Sequence, residues 1–177
     1  IAQNNLATML RAGRPYKKNF SLASQWFLQS ALQGNTRAQF NLATMYRRGE
    51  GVKANDVEAV RWYRIAAERG DMFAQNALAY MYRNGFGVDK NDMEAIEWYK
   101  RAAEQGHVPS QFAVARMYEA GLSALDPAKS KEQAAIWYFH AAEQGNPKAQ
   151  QRLGMMYEQG IGLPKNLVEA ANWYKKA

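Results

Sequence analysis

Cysteine is absent from the sequence. That excludes disulfide staples, thiolate zinc sites and a cysteine nucleophile, while fitting any redox compartment. Histidine occurs twice, and no serine, histidine and acid combination presents itself for acyl or phosphoryl chemistry. Long hydrophobic runs are missing as well. The run at residues 134–139, as long as any in the chain, is far below the roughly 18 residues of a membrane span. The opening "IAQNNLATML" has no charged segment followed by an apolar stretch, so it does not read as a secretory leader. Phosphate-loop fingerprints are also lacking. "RRGEGVKAN" at 47–55 has two glycines beside basic residues, but neither G-x-G-x-x-G nor G-x-x-x-x-G-K-[ST]. Acidic residues are absent from the first 35 positions, which hold four basic ones. The net charge of +7 is therefore uneven, with a basic N-terminal third that bears on partners rather than on fold.

What is present in quantity is self-similarity. "AQFNLATMYRRGEGVKANDVEAVRWYRIAAERGD" from Ala38 and "AQNALAYMYRNGFGVDKNDMEAIEWYKRAAEQGH" from Ala74 share one register at a spacing of 36 residues. Further copies begin at Ala2, at Ser110 (with three extra loop residues) and at Ala149 (stopping short). The chain thus reads as one array of units at 2–37, 38–73, 74–109, 110–148 and an incomplete 149–177. A period of 20 to 50 residues marks a solenoid or array. The "GEG" of the second unit returns as "GFG" at 85–87 and "GIG" at 160–162. A loop needed once per unit turns a corner and does not hold a phosphate. Gly49 can end a helix in the left-handed conformation, and Gly51 lets the chain reverse. Val52, Val88 and Leu163 supply an apolar residue to tuck beneath the turn.

Each unit is predicted to form two helices, the first over about 38–48 and the second over about 56–69 in the second unit. Capping boxes are expected at Asn55 with Glu58, Asn91 with Glu94, Ser130 with Gln133 and Asn166 with Glu169. Asn19 lacks the acidic partner, so the first unit should start its second helix less firmly. Second helices are expected to end at Gly34, Gly70, Gly106 and Gly145. Asn35, Asp71, His107 and Asn146 can then cap the next first helix, with Pro147 placed well at its start. All five tryptophans (Trp26, Trp62, Trp98, Trp137, Trp173) share one repeat position, followed by Phe27, Tyr63, Tyr99, Tyr138 and Tyr174. A ligand site would not need all five, so the stack is predicted to be core.

"A-x-x-x-L-A-x-M-Y-x-x-G-x-G-V" followed by "A-x-x-W-Y-x-x-A-A-E-x-G" resembles the Sel-one-like repeat, a relative of the tetratricopeptide repeat, over essentially the whole chain. Leu10 for the usual tyrosine, "GRPY" for the G-x-G-V turn and the insertion at 123–129 depart from the pattern. The resemblance implies an all-α fold of about ten helices: a right-handed superhelical solenoid of antiparallel helix hairpins. It implies a protein-binding adaptor or scaffold without catalytic residues or cofactors. Bacterial members are often envelope or secreted adaptors, which favours the periplasm or secretion. Beginning at Ile1 and stopping before the alanine and glycine that close a unit, the chain is expected to be part of a longer array.

A helix advances about 100° per residue, which sorts each first helix by face. Positions that stay similar between units (38, 39, 42, 43, 45, 46) form one arc, read as packing. The changing arc is where recognition can differ. The candidate protein-binding residues on it are Arg11, Arg37, Phe40, Asn41, Thr44, Arg47 and Arg48, then Phe73, Asn76, Tyr80 and Arg83, then Phe112 and Arg116. Charge interleaved with exposed rings predicts a concave groove for an acidic partner segment with spaced hydrophobic residues. Helical-hairpin repeats can also read RNA, one base per unit. Here, however, the basic residues form no continuous stripe, and no pair of positions looks like a base code. A regulatory repeat domain of a larger enzyme is the third reading. His140 and Glu143, three apart on one face, are predicted to be solvated surface and not a metal site, because that histidine's position holds Ile65, Arg101 and Lys176 in other units.

Overall fold

The computed structural model describes residues 2–177. Among them the chain forms ten helices and no strand, as the repeat pattern predicts. Two bodies can be distinguished, residues 1–91 and 92–177. The first contains α1 (Ala2–Ala12), α2 (Phe20–Leu32), α3 (Thr36–Arg48), α4 (Asp56–Glu68) and α5 (Met72–Asn84). The second contains α6 (Asp92–Glu104), α7 (Val108–Glu119), α8 (Pro127–Glu143), α9 (Pro147–Gln159) and α10 (Leu167–Lys176). Within each body every helix packs on the one before it and the one after it.

Local chemistry accounts for the helix boundaries. Asn35 accepts a hydrogen bond from the Ala38 amide at 2.9 Å, so α3 begins two residues earlier than the periodicity suggests. Asp71 and Asn146 cap α5 and α9 in the same way. Asn19 caps α2 through the Leu22 amide at 2.9 Å even without an acidic partner. Gly49, Gly85 and Gly160 end α3, α5 and α9 in the left-handed conformation. The following loop is then clasped at its far end, where the Asn55 amide donates to the Tyr46 carbonyl at 2.9 Å.

The second glycine of each turn has a tertiary reason. A Cβ on Gly51 would collide with the Phe20 backbone, one on Gly87 with that of Asp56, and one on Gly162 with that of Lys131. Each loop therefore lies directly on the first turn or two of the preceding second helix, an approach only glycine permits. The fourth unit departs from this pattern, because Ser123 stands where the second glycine would be.

The inserted residues correct one expectation. Ser130 does not cap a helix with Gln133. Asp126 does so instead, accepting from the Ala128 and Lys129 amides at 3.1 Å, with Pro127 at the first helical position. The insertion becomes an extra helical turn, making α8 17 residues long. Ser130 is buried within it, its Oγ 2.6 Å from that of Ser123.

Core positions follow the similar arc. Ala38, Leu42, Ala43 and Met45 are buried, as are Ala66 and Ala67 on the facing helix, where small side chains let backbones approach. Gln39 sits on the same arc because its amide donates to the Ala31 carbonyl at 3.1 Å, satisfying a late carbonyl of α2. Gln75, Gln111 and Gln150 repeat this bond to Ala67, Ala103 and Ala142. The aromatic stack is only partly as predicted. Phe27, Tyr63, Tyr99 and Tyr138 are buried, and so are Trp62, Trp98 and Trp173, whereas Trp26 and Trp137 are half-exposed. Tyr174 at the end of the chain is exposed. In the first four units the position after the tryptophan is thus the deeper one.

Candidate functional site

In the first body the changing arc of α3 and α5 assembles into contacts, not a row of isolated side chains. Phe40 and Phe73 lie with ring centroids 6.2 Å apart, and the Arg37 guanidinium sits over both, 5.6 and 4.9 Å from their centres. Arg47 lies 4.6 Å over Tyr80, whose ring packs against Phe86. Arginine stacked on a ring loses less freedom on binding and keeps its donors facing out. Arg37 and Arg47 are both exposed. Exposure of the rings differs from the sequence expectation. Phe73 and Tyr80 are exposed, but Phe40 is half-buried because it also packs 5.7 Å from Tyr63. Phe112 is half-buried in the same way against Tyr138.

Other members of the set are engaged. Arg11 donates through Nε to Glu50 at 2.9 Å, and Arg48 reaches the same carboxylate at 3.5 Å. Thr44 lies 3.1 Å from the Tyr63 hydroxyl. Burial raises the Tyr63 pKa, while the Thr44 hydrogen bond and the charges of Arg47 and Arg48 oppose that shift. Asn41 and Arg37 line a cleft of about 420 Å³ with Asn4, Asn5, Thr8 and Met9 of α1. Asn76 and Arg83 are half-buried on α5.

Phe112 and Arg116 belong to the second body, where the arc has a different chemistry. Glu119 accepts from Arg152 Nε at 2.8 and 3.1 Å and from the Tyr138 hydroxyl at 2.8 Å. Arg152 Nη2 adds a contact at 2.8 Å. The Tyr138 pKa rises well above its ordinary value. Burial is the main cause, Glu119 adds to it, and Arg152 and Arg116 pull the other way. Phe112, Arg116, Glu119, Tyr138, Lys148, Gln151 and Arg152 line a cleft of about 640 Å³. Lys148, Gln151 and Arg152 did not enter the sequence-based set, although carrying the same arc onto α9 reaches all three.

The tryptophan faces offer little platform to a ligand. Arg101 lies 4.5 Å over Trp98 and Lys176 4.0 Å over Trp173, each from three residues further along its helix. His140 is the equivalent neighbour of Trp137, with ring centroids 5.7 Å apart, which accounts for that histidine by packing. Among the described residues no group of three or more metal-ligating side chains converges, and no helix is long and apolar enough to cross a membrane.

Comparison with known proteins agrees with this geometry. The family model described as Sel1 repeat matches five times, at 1–35, 36–71, 73–107, 108–146 and 147–177. These frames differ from the units drawn above by a few residues of phase. A Sel1 repeat protein from Oxalobacter formigenes is 36% identical with a TM-score of 0.91, over 99% of this chain and 71% of that one. The protein c5321, a protective antigen present in uropathogenic Escherichia coli strains and displaying an SLR fold, is 33% identical with a TM-score of 0.94. That match covers 99% of this chain but only 37% of the other, so the chain spans little more than a third of c5321. An immunity protein from Pseudomonas aeruginosa, 23% identical with a TM-score of 0.55 over 99% of this chain and 63% of that one, shares the fold alone. No curated protein matches the chain.

Proposed function

The chain belongs to the Sel1 repeat family, whose repeats are typically protein–protein interaction modules, and we propose that it binds a partner through the changing arc of its first helices. The partner segment is acidic and carries spaced hydrophobic residues. The observation that carries this reading is the pair of exposed arginines held over rings in the first body, Arg37 on Phe40 and Phe73 and Arg47 on Tyr80. Each presents guanidinium donors suited to a carboxylate beside an aromatic surface suited to an apolar side chain. Charge supports the same partner. Residues 1–91 hold thirteen Lys and Arg against six Asp and Glu, so this body carries the entire net charge of the chain.

The test is titration of the chain with peptides that alternate Asp or Glu with Leu or Phe. Association should slow as salt rises, because exposed charges are screened over about 8 Å at physiological ionic strength. The double substitution Arg37→Glu with Arg47→Glu should weaken binding about tenfold or more while leaving helix content unchanged. Arg61→Glu, on the exposed face of α4, serves as the control and should change affinity little. Retention of full affinity by the double variant would place the interface elsewhere.

A further inference from the structure

We infer that the second body holds a separate carboxylate-binding cleft, one that takes an Asp or Glu side chain of a partner segment together with an apolar side chain beside it. This rests on the protein-binding reading but not on the arginines of the first body. The cleft lies among α7, α8 and α9 and has a volume of about 640 Å³, within the range of ordinary ligand sites.

Its charges are unequally committed. Glu119 is saturated, with Arg152 holding both carboxylate oxygens and the Tyr138 hydroxyl donating to one of them. That network is neutral and fixes the floor of the cleft. Arg116 and Lys148 line the same cleft, and neither has an ion-pair partner among the described residues. Both side chains belong to exposed residues, so the cations can turn toward a ligand without breaking a contact of the fold. Lys148 is the second residue of α9, at the positive end of the helix dipole, where a cation is disfavoured. Its equivalent in α3, Arg37, rests on two rings. Lys148 has neither a ring contact nor an ion pair among the described residues, so its ammonium is not held in one place and can turn into the cleft.

One wall is apolar. Phe112 and Tyr138 pack with centroids 5.7 Å apart, and their rings border the space that the two cations face. A carboxylate placed between Arg116 and Lys148 gains charge-assisted hydrogen bonds. A neighbouring leucine or phenylalanine then covers the Phe112 ring. The cleft is open to solvent, which suits a segment that enters and leaves rather than one that terminates inside.

The experiment uses the whole chain, isotopically labelled, and end-blocked octapeptides with one Glu two residues from one Leu in a glycine–serine background. Two further peptides replace Glu by Gln and Leu by Ala. The Glu peptide should shift the amide resonances around Phe112, Arg116 and Lys148, and the Gln copy should bind about fivefold more weakly or worse. Arg116→Gln and Lys148→Gln should each lower affinity about fivefold with helix content unchanged. The Arg37→Glu, Arg47→Glu variant should keep the cleft signals. Equal binding of the Glu and Gln peptides overturns the inference, and so does indifference to Arg116→Gln and Lys148→Gln. Oligouridylate shifting the same resonances more strongly than the Glu peptide would also overturn it, in favour of a phosphate-binding surface. Loss of the signals in the Arg37 and Arg47 variant alone would leave the interface of the first body standing and remove this second one.

Discussion

One repeat position, near the end of each first helix, holds Arg11, Arg47 and Arg83 in the first body and Glu119 and Glu158 in the second. The tyrosine that faces this position changes its bonding accordingly. Tyr63 shares a hydrogen bond with Thr44 and sits near the positive charges of Arg47 and Arg48. Tyr138 and Tyr174 instead donate to Glu119 and Glu158, at 2.8 and 2.7 Å. Residues 92–177 hold ten basic and ten acidic residues, against thirteen and six in 1–91. The backbone device is thus held constant while its outward chemistry is exchanged. Packing constrains the similar arc because backbones there must approach closely, whereas the changing arc faces water and tolerates either sign.

The largest test of this contrast is at the tryptophan position. Trp62 is buried and Trp137 half-exposed, so Trp62→Ala should cost about 3–5 kcal/mol and Trp137→Ala clearly less. Urea unfolding of the two variants, monitored by helix content, measures the difference. Equal losses would mean that the two bodies use this position alike and that exposure does not govern it.

A smaller effect is expected at the tyrosine. Tyr138→Phe removes a donor to a carboxylate and should cost about 1–2 kcal/mol, against about 0.5–1 for Tyr63→Phe, where the lost partner is neutral. The pH dependence sharpens the comparison. The unfolded chain releases a tyrosine proton near pH 10, while burial and Glu119 hold the Tyr138 proton to higher pH. Above pH 10 the folded state therefore binds more protons than the unfolded one. The contribution of Tyr138 is intact below pH 10 and is lost as pH rises toward the folded value. Tyr138→Phe should flatten that alkaline loss more than Tyr63→Phe does.

The smallest effect concerns a cap. Asn35 and Asp71 in the first body accept hydrogen bonds from the helices they start, but His107 makes no side-chain cap bond and instead sits 2.8 Å from the Ser110 hydroxyl. His107→Asn should raise stability by about 0.5–1 kcal/mol. Burial lowers the His107 pKa, so the unfolded chain takes up this proton first as pH falls. Stability is complete above about 6.5 and declines below it, and the substitution should remove that decline. Thermal melts at neutral pH and at pH 5 measure both effects.

Much of this architecture is legible in the amino-acid string, because its causes are local and recur. Cap residues, left-handed glycines and the 36-residue period act within a few residues of themselves, so five repetitions of one pattern specify helix pairs and their buried arc. Gln39 could be assigned to the packing arc from the pattern alone. The carbonyl that explains a polar residue there belongs to Ala31 on the preceding helix. Tertiary structure decided whatever depends on a partner far along the chain. Gly51 must be glycine because of the backbone at Phe20, and Asp126 displaced Ser130 as a cap once the insertion wound into helix. The candidate surface divides in the same way. Its face follows from helical geometry, but which of its charges are spent does not. Arg11 is held by Glu50, 39 residues away, and Glu119 by Arg152, 33 residues away. Arg37 and Lys148 occupy the same repeat position and each borders a cleft, yet Arg37 lies on two rings and Lys148 on none. A charge becomes available to a partner only when no neighbour neutralises it, and those neighbours are set by distances in space rather than by order along the chain.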